Sequence, residues 1–252
     1  MIVNEAVEVA GDRHHTRRLV VTCEHASNRL PEPIEANASD APWLDTHWGW
    51  DPGAAAVVRD LVKRKSSVAI LSRFSRLICD PNRSPSEPDW IRSDVEGYQL
   101  SFNSNVSDAE KARRKVTYYD PFHEEIDRCL SERLSRGGDV LLFSVHSFTP
   151  NYMGSIREME MGVLFDRFDP VAERFAGHLR DHGFVTALNA PYSGKDGKIF
   201  SAQHHGHRHG VIYLELEIRQ DIIDTPEKVL DVSSRLCDAL SDLQIRSSNR
   251  QA

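Results

Sequence analysis

Short apolar runs alternate with longer amphipathic stretches along this chain. The short runs have the length and the Val, Leu and Ile content of buried strands, and the stretches between them carry apolar residues at helical spacing. Strands are predicted over seven segments: 18–23, 67–71, 76–79, 139–145, 161–165, 185–188 and 211–218. Because strands and helices alternate, the pattern predicts an α/β fold, a three-layer α/β/α arrangement with a largely parallel or mixed central sheet.

Helix-start signals precede three of the amphipathic stretches. Asp51-Pro52 supplies an N-cap residue followed by the residue most favoured at the first helical position. Thr225-Pro226 repeats this pairing before the last helix, and Ser107-x-x-Glu110 has the spacing of a capping box. Pro121 predicts a kink or break in the helix that follows the capping box. A long loop with three prolines is predicted over 80–98, and loops of this length in compact domains usually carry function.

The length and composition fit one cytoplasmic domain. No repeat or linker divides the 252 residues, so we expect a single α/β domain over 1–252, with a flexible polar lead-in over 1–16 and a flexible tail over 247–252. Four widely spaced cysteines form no metal-binding pattern and favour free thiols. The chain shows neither a secretion signal nor a membrane span, and its net charge of −7 argues against a nucleic-acid partner. The sequence does not predict an oligomeric state.

Polar residues that suit catalysis follow the predicted strands. Glu24-His25 comes directly after the first strand, His146 follows the most apolar one, and Glu217 lies at the end of the last. Asn82-Arg83 follows the strand predicted over 76–79. In open α/β sheets, ligands bind beyond the carboxyl ends of the strands, so these side chains are expected to meet.

Two imidazoles and carboxylates are the ligand types of a hydrolytic metal site. His25 and His146 are therefore predicted to hold a divalent metal, with zinc the first candidate, although each could instead be a histidine that hydrogen-bonds a loop. Asp51 is the favoured third ligand, with Glu24 and His47 as rivals, and it suits an N-cap equally well.

The last predicted strand carries two candidate bases. Glu215 and Glu217 point to one face, and Glu217, at the strand end, is favoured as general base over a role in a salt bridge. Glu215 would lie about 6.6 Å further back, two residues of strand rise.

Cationic and polar residues elsewhere are candidates for binding an anionic substrate. Arg83 can grip a carboxylate in bidentate fashion, unless it is simply a solvated loop arginine. Arg92 and Arg219 are second choices, and Tyr192 is a weaker candidate for substrate contact. A His-rich segment over 204–209 is predicted to be a mobile lid or a protonatable loop over the pocket rather than a metal tract. His123 is interpreted as either a core histidine or part of the active site.

An ordered series of motifs runs over most of the chain: Thr22-Cys23-Glu24-His25-Ala26-Ser27-Asn28, His47 with Asp51-Pro52-Gly53-Ala54, Asp80-Pro81-Asn82-Arg83-Ser84-Pro85, Tyr118 with His123, Val145-His146-Ser147-Phe148, Pro191-Tyr192-Ser193-Gly194 and Leu216-Glu217-Ile218-Arg219. As an ordered set, these motifs resemble the N-formylglutamate amidohydrolase family. The resemblance implies a fold similar to the zinc-dependent exopeptidases, of the phosphorylase/hydrolase-like type. It also implies hydrolysis of an N-acylated amino acid, such as N-formylglutamate to glutamate and formate.

A more distant similarity connects the Asp80-x-Asn82-Arg83 segment to aspartoacylase-type metal hydrolases. That similarity implies that Asn82 and Arg83 hold the substrate carboxylate. Those relatives carry a His-x-x-Glu ligand pair, whereas this chain has His25-x-x-Asn28, so the second protein ligand is not assigned by the resemblance.

The main hypothesis is therefore a metal-dependent amidohydrolase that acts on a small acidic N-acyl amino acid. The alternative is a metal-free binding protein or sensor for an acidic metabolite on the same fold. A peptidoglycan amidase is a third interpretation, and the missing secretion signal argues against it.

Overall fold

The computed structural model describes residues 2–14 and 18–243. Twelve strands lie in this part of the chain: β1 (Ile2–Val3), β2 (Val7–Gly11), β3 (Leu19–Cys23), β4 (Val68–Ser72), β5 (Asp94–Val95), β6 (Tyr98–Gln99), β7 (Leu141–Phe148), β8 (Asn151–Tyr152), β9 (Ser155–Ile156), β10 (Met161–Leu164), β11 (Thr186–Leu188) and β12 (Ile212–Arg219). The same residues form seven α-helices: α1 (Ala41–Leu44), α2 (Ala54–Lys65), α3 (Asp108–Arg114), α4 (Asp120–Leu134), α5 (Asp169–Asp181), α6 (Phe200–His209) and α7 (Pro226–Asp242).

Eight strands form the central sheet, in the order β1-β2-β4-β3-β7-β12-β10-β11. The four middle strands β4, β3, β7 and β12 are parallel, so their carboxyl ends lie at one edge of the sheet. The flanking strands β2 and β10 run antiparallel to them, which makes the sheet mixed. Short hairpins β5–β6 and β8–β9 lie outside this sheet.

Helices cover both faces of the sheet and complete the predicted α/β/α arrangement. Apolar residues of α2, α5 and α7 pack on one face against strand residues such as Val21, Phe143 and Leu214. The alternate strand positions, including Val20 and Leu142, face α4 and α6 on the other side. The predicted fold class is confirmed.

The face toward α4 and α6 changes character along the strands. Near the amino ends of the strands it is apolar, but toward the carboxyl ends the same alternation brings buried polar side chains to this face: Thr22, Glu24, Ser72, Ser144, His146, Glu215 and Glu217. Side chains alternate strictly between the two faces of a sheet, so the residues between these polar positions point to the opposite, apolar face. Two apolar cores therefore flank the polar region. The fold therefore builds a polar site into the interior of the protein.

Two expectations about local structure are wrong. The lead-in expected to be flexible contains β2, which pairs with β4 and contributes the buried Val7 and Val9 to the core. Its short length and polar neighbours concealed a strand that pairs inside the sheet. The strand expected over 76–79 does not form. Leu77 and Ile78 are buried, but they lie within a turn-rich segment that leads into the long loop. The tail over 247–252 lies outside the described residues.

Helix starts follow the sequence signals more closely. Ser107 accepts a hydrogen bond from the Glu110 backbone, and Thr225 does the same from Lys228, as their capping patterns predict. A π-helical turn over Lys115–Tyr119 joins α3 to α4 just before Pro121, where a kink was expected. Among the residues described, no helix combines the length and apolarity needed to cross a bilayer.

Candidate metal centre and active site

Three side chains that are distant in sequence converge at the carboxyl ends of the central strands. The Nδ1 atoms of His25 and His146 lie 3.1 Å apart, and Asp51 Oδ2 is 2.8 Å from the His146 Nδ1 and 3.4 Å from the His25 Nδ1. All three residues are buried. Ligand atoms of a tetrahedral zinc ion are about 3.3 Å apart, given bonds of about 2.0–2.1 Å. The three donors therefore have the chemistry and spacing of a zinc site.

Hydrogen bonds to the backbone hold Asp51 next to the two segments that carry His25 and His146. Its amide donates to the His25 carbonyl at 2.9 Å, and the Ser147 amide donates to its Oδ2 at 3.2 Å. Asp51 is not the N-cap that its sequence context suggested. Helix α2 begins two residues later than expected, and Gly53, with a φ of 83°, occupies the cap position. The Asp51 carboxylate is thus free to face the histidines.

The outer nitrogen of each histidine faces a buried carboxylate. His25 Nε2 lies 2.8 Å from Asp80 Oδ1, and His146 Nε2 lies 3.2 Å from Glu24 Oε2. A proton on each Nε2 satisfies these contacts and leaves both Nδ1 lone pairs directed at Asp51. Carboxylates that orient metal-binding histidines in this way are a regular feature of metal sites. Glu24, a rival third ligand in the sequence, supports His146 instead.

The site concentrates negative charge. Five of its carboxylates are buried, those of Glu24, Asp51, Asp80, Glu215 and Glu217. Like charges are costly to bury unless cations offset them, so the donor set favours a bound positive ion.

The pKa shifts reflect this charge. Burial alone would lower the pKa of His146, but Glu215, Asp51 and Glu24 outweigh it and raise that pKa well above its ordinary value. A metal ion would replace the proton that the site draws onto His146.

Glu217 and Glu215 lie on β12 beside His146, in different surroundings. Glu217 pairs with His146 across the parallel ladder and lines the cavity, and its Oε2 is buried without a hydrogen-bond partner among the described residues. Glu215 Oε2 accepts from Asn82 at 3.3 Å. Burial raises the pKa of Glu215 to about 7 and also raises that of Glu217 well above its usual value, with Asp51 and Glu215 adding to the second shift.

A cavity of about 250 Å³ opens over these groups, and Arg76 lies in its wall. Arg76 is not among the residues predicted from sequence, because its segment has the composition of a strand that does not form. Its guanidinium holds Asp80 Oδ2 with contacts of 2.6 and 3.0 Å, and its Nη1 is 4.0 Å from Asp51 Oδ1. An arginine four residues before an aspartate, next to a predicted site, is the signal that could have found it.

Four of the five residues proposed from sequence to bind substrate line the cavity. Arg83 contacts Asp89 at 2.9 Å, and Arg92 contacts the same carboxylate at 2.7 Å. The Asn82 amide turns inward, where its Oδ1 accepts from the Ser201 amide at 2.9 Å. Tyr192 is partly exposed at the rim.

Other candidates lie apart from the three donors. His47 lines the cavity without joining the cluster, and Asn28 donates to Asp45 at 2.8 Å. Arg219 donates hydrogen bonds to Asp221 and to the backbone carbonyls of residues 157–159, so its guanidinium is occupied by contacts within the protein. His123 is buried between α4 and α6, where it contacts His205 at 2.7 Å. The predicted lid over 204–209 is wrong, since these residues belong to α6.

A comparison of the sequence with models of protein families agrees with the geometry of the site. A family model described as N-formylglutamate amidohydrolase matches residues 17–223. The chain belongs to the N-formylglutamate amidohydrolase family. This confirms the resemblance found in the sequence motifs. As a member of the N-formylglutamate amidohydrolase family, the protein is a hydrolase that acts on amides.

Two solved structures are similar along nearly the whole chain. A gene product from Agrobacterium tumefaciens is 31% identical, with a TM-score of 0.86 over 94% of this chain and 96% of that chain. An N-formylglutamate amidohydrolase from Ralstonia eutropha is 20% identical, with a TM-score of 0.73 over 94% of this chain and 96% of that chain. No curated protein matched the chain in a sequence comparison. The two structures share the fold described above for this N-formylglutamate amidohydrolase family member.

Proposed function

We propose that the protein is a cytoplasmic, zinc-dependent amidohydrolase that cleaves the N-acyl amide of a small acidic amino acid, such as N-formylglutamate. The observation that carries this proposal is the convergence of His25 Nδ1, His146 Nδ1 and Asp51 Oδ2 within 3.4 Å of one another. These three residues would hold the ion. A bound Zn²⁺ supplies a Lewis acid that polarises the acyl carbonyl and lowers the pKa of a water molecule to about 7.

Glu217 is proposed as the general base. It lies beside His146 at the cavity wall. Its buried Oε2 has no hydrogen-bond partner among the described residues, so this oxygen is available to accept a proton from water. Glu217 would accept a proton from the attacking water, whose oxygen bonds to the acyl carbon. It would then return this proton to the amide nitrogen as the carbon–nitrogen bond breaks, which gives the carboxylic acid and the free amino acid.

Arg76 is proposed to stabilise the developing oxyanion. Two of its nitrogens hold Asp80, while its Nη1 lies at the cavity wall 4.0 Å from Asp51. A donor fixed in this way needs no reorganisation during the reaction, which is the property that makes oxyanion donors effective.

Arg83 is proposed to bind the substrate carboxylate, assisted by Arg92, Tyr192 and Asn82, which line the same cavity. Both arginines contact Asp89, so an entering carboxylate would replace Asp89 as their partner. A cavity of about 250 Å³ is small compared with drug-sized pockets of about 300–1,000 Å³, and this favours a single amino-acid derivative.

A hydrolysis screen tests the proposal. Purified protein would be assayed against N-formyl, N-acetyl and N-succinyl derivatives of glutamate, with N-formyl derivatives of neutral amino acids as controls. Each assay would be run as isolated, after exhaustive chelation, and after zinc is restored. We expect hydrolysis of an acidic N-acyl substrate that chelation abolishes and zinc restores.

Two outcomes would contradict the proposal. Full activity after exhaustive chelation would exclude metal dependence. Binding of an acidic metabolite without hydrolysis, in a protein that retains no divalent ion and gains nothing from added zinc, would support the binding-protein alternative.

A further inference from the structure

The histidine-rich helix α6 forms a second polar cluster with α4, away from the cavity. Asp127 Oδ1 of α4 lies 2.7 Å from His205 Nδ1 and 2.8 Å from His209 Nε2, so both histidines contact the same carboxylate oxygen. His205 and His209 are four residues apart on the helix, so they share one face and lie one above the other. Their two ring nitrogens and Asp127 Oδ1 all lie within 4.8 Å of one another.

The cluster is built like a metal site in a further respect. His205 is fully buried, and its other nitrogen, Nε2, lies 2.7 Å from Nδ1 of the buried His123. A neutral His123 with its proton on Nε2 can accept a hydrogen bond at Nδ1. His205 can then donate from Nε2 to His123 and keep the Nδ1 lone pair directed at Asp127. An outer contact that fixes the tautomer in this way is typical of metal-binding histidines.

We propose that Asp127, His205 and His209 form a second divalent-metal site that fastens α6 to α4. Two imidazoles and one carboxylate favour Zn²⁺ and the neighbouring ions Cu²⁺, Ni²⁺ and Co²⁺ over Mg²⁺ or Ca²⁺. Three protein ligands leave one position for water, and the partly exposed side chains of Asp127 and His209 give access from solvent.

The charges around the cluster permit a cation. His209 belongs to the last turn of α6, where the helix dipole favours positive charge. Arg208 is the cation that contacts the cluster, at 2.8 Å from Asp127 Oδ2, the oxygen that the histidines do not use. Its side chain is 61% exposed and can therefore turn into solvent when an ion binds.

The site would also support the catalytic cavity. The first turn of α6 supplies the Ser201 amide that donates to Asn82 Oδ1 at 2.9 Å. Asn82 in turn donates to Glu215 at 3.3 Å. An ion at the far end of α6 would hold the helix that positions this cavity residue, so its binding should raise the melting temperature of the protein.

Metal stoichiometry tests the second site. The full-length protein would first be loaded with one equivalent of Zn²⁺ and then titrated with more, with bound zinc measured by equilibrium dialysis and elemental analysis. His209→Ala and Asp127→Asn remove one ligand each, and His204→Ala is the matched control, since it removes an exposed histidine of the same helix that does not contact Asp127. Changes in the outer contacts of metal ligands alter affinity about 10- to 100-fold, so loss of a ligand should weaken the second ion by at least about 100-fold.

The expected result is two ions in the wild type and in His204→Ala, and one ion in His209→Ala and Asp127→Asn. The second equivalent should raise the melting temperature only in the first pair. Asp51→Asn, which removes a donor of the catalytic site, should retain the second ion, so the result does not depend on hydrolytic activity. A wild type that binds one ion, or a second ion that all variants bind equally, would overturn the proposal.

Discussion

His25 and His146 are 121 positions apart in sequence, yet their Nδ1 atoms lie 3.1 Å from each other. This short distance follows from the topology of the sheet. Strands β3 and β7 are adjacent and parallel, so a residue just beyond β3 lies next to a residue near the end of β7. Asp80 and Glu24 hold the outer nitrogens and so direct both inner nitrogens at Asp51. The centre is therefore preorganised by the sheet and by a surrounding layer of carboxylates.

The first prediction concerns the proposed base. Glu217→Gln should lower kcat about 10²- to 10⁴-fold, the range for loss of a general acid–base group, and should leave bound zinc unchanged because Glu217 is not one of the three donors. Steady-state kinetics and elemental analysis check it. The control is Glu215→Gln, which should have a smaller effect. A larger loss in the control would move the base to Glu215.

The second prediction separates the metal ligand from its supporting carboxylate. Asp80→Asn removes the charge behind His25 and should weaken zinc binding about 10- to 100-fold. Asp51→Asn removes a donor and should weaken it more. Competition with a chromogenic chelator measures both affinities, and circular dichroism verifies folding. Asp51 would lose its proposed role if the Asp51→Asn protein bound zinc as tightly as the wild type.

The third prediction concerns substrate recognition. Arg83→Met should raise KM for N-formylglutamate roughly 10- to 100-fold, because a hydrogen bond between charged groups contributes about 1.5–3 kcal/mol. The value of kcat should change little, since Arg83 is not assigned to the chemical step. Arg174→Met, on the exposed side of α5 behind the opposite face of the sheet, is the control. An unchanged KM in Arg83→Met would exclude Arg83 as the carboxylate anchor.

The fourth prediction concerns the stability of the chelated protein. Burial raises the pKa of Glu215 from its ordinary 4.5 to about 7. Between these pH values the unfolded chain has released a proton that the folded protein still holds, so the free energy of unfolding should fall as the pH rises from 4.5 to about 7. Glu215→Gln should remove this part of the pH dependence. Urea unfolding at several pH values measures it, and equal slopes in both proteins would show that Glu215 does not contribute.

Much of the candidate site could be predicted from the order of residues along the chain. His25, His146 and Glu217 were predicted because each stands at the end of an apolar run, and parallel strands bring such ends together. Asp51 was ambiguous, because an aspartate before proline fits an N-cap and a ligand equally well. In the structure Gly53 occupies the cap position, and the Asp51 carboxylate faces the histidines instead.

Other residues were missed because the local pattern favoured a different structure for their segments. Arg76 was hidden in a segment with strand-like composition that forms a turn. The histidines of α6 resembled a mobile loop, because glycine and histidine are weak helix formers, yet packing against α4 and β12 stabilises the helix. Asp127, the partner of His205 and His209, lies in an amphipathic helix where a charged residue normally faces solvent.

The sequence by itself determined the α/β class, the central strands, the capped helices and the family, because hydrophobic period and local capping act over a few residues. Tertiary structure alone decided which carboxylate faces Nδ1 of the histidines, which ones support Nε2, and which arginine enters the site. Those outcomes depend on distances between segments separated by tens of residues, and local propensity carries no information about such distances.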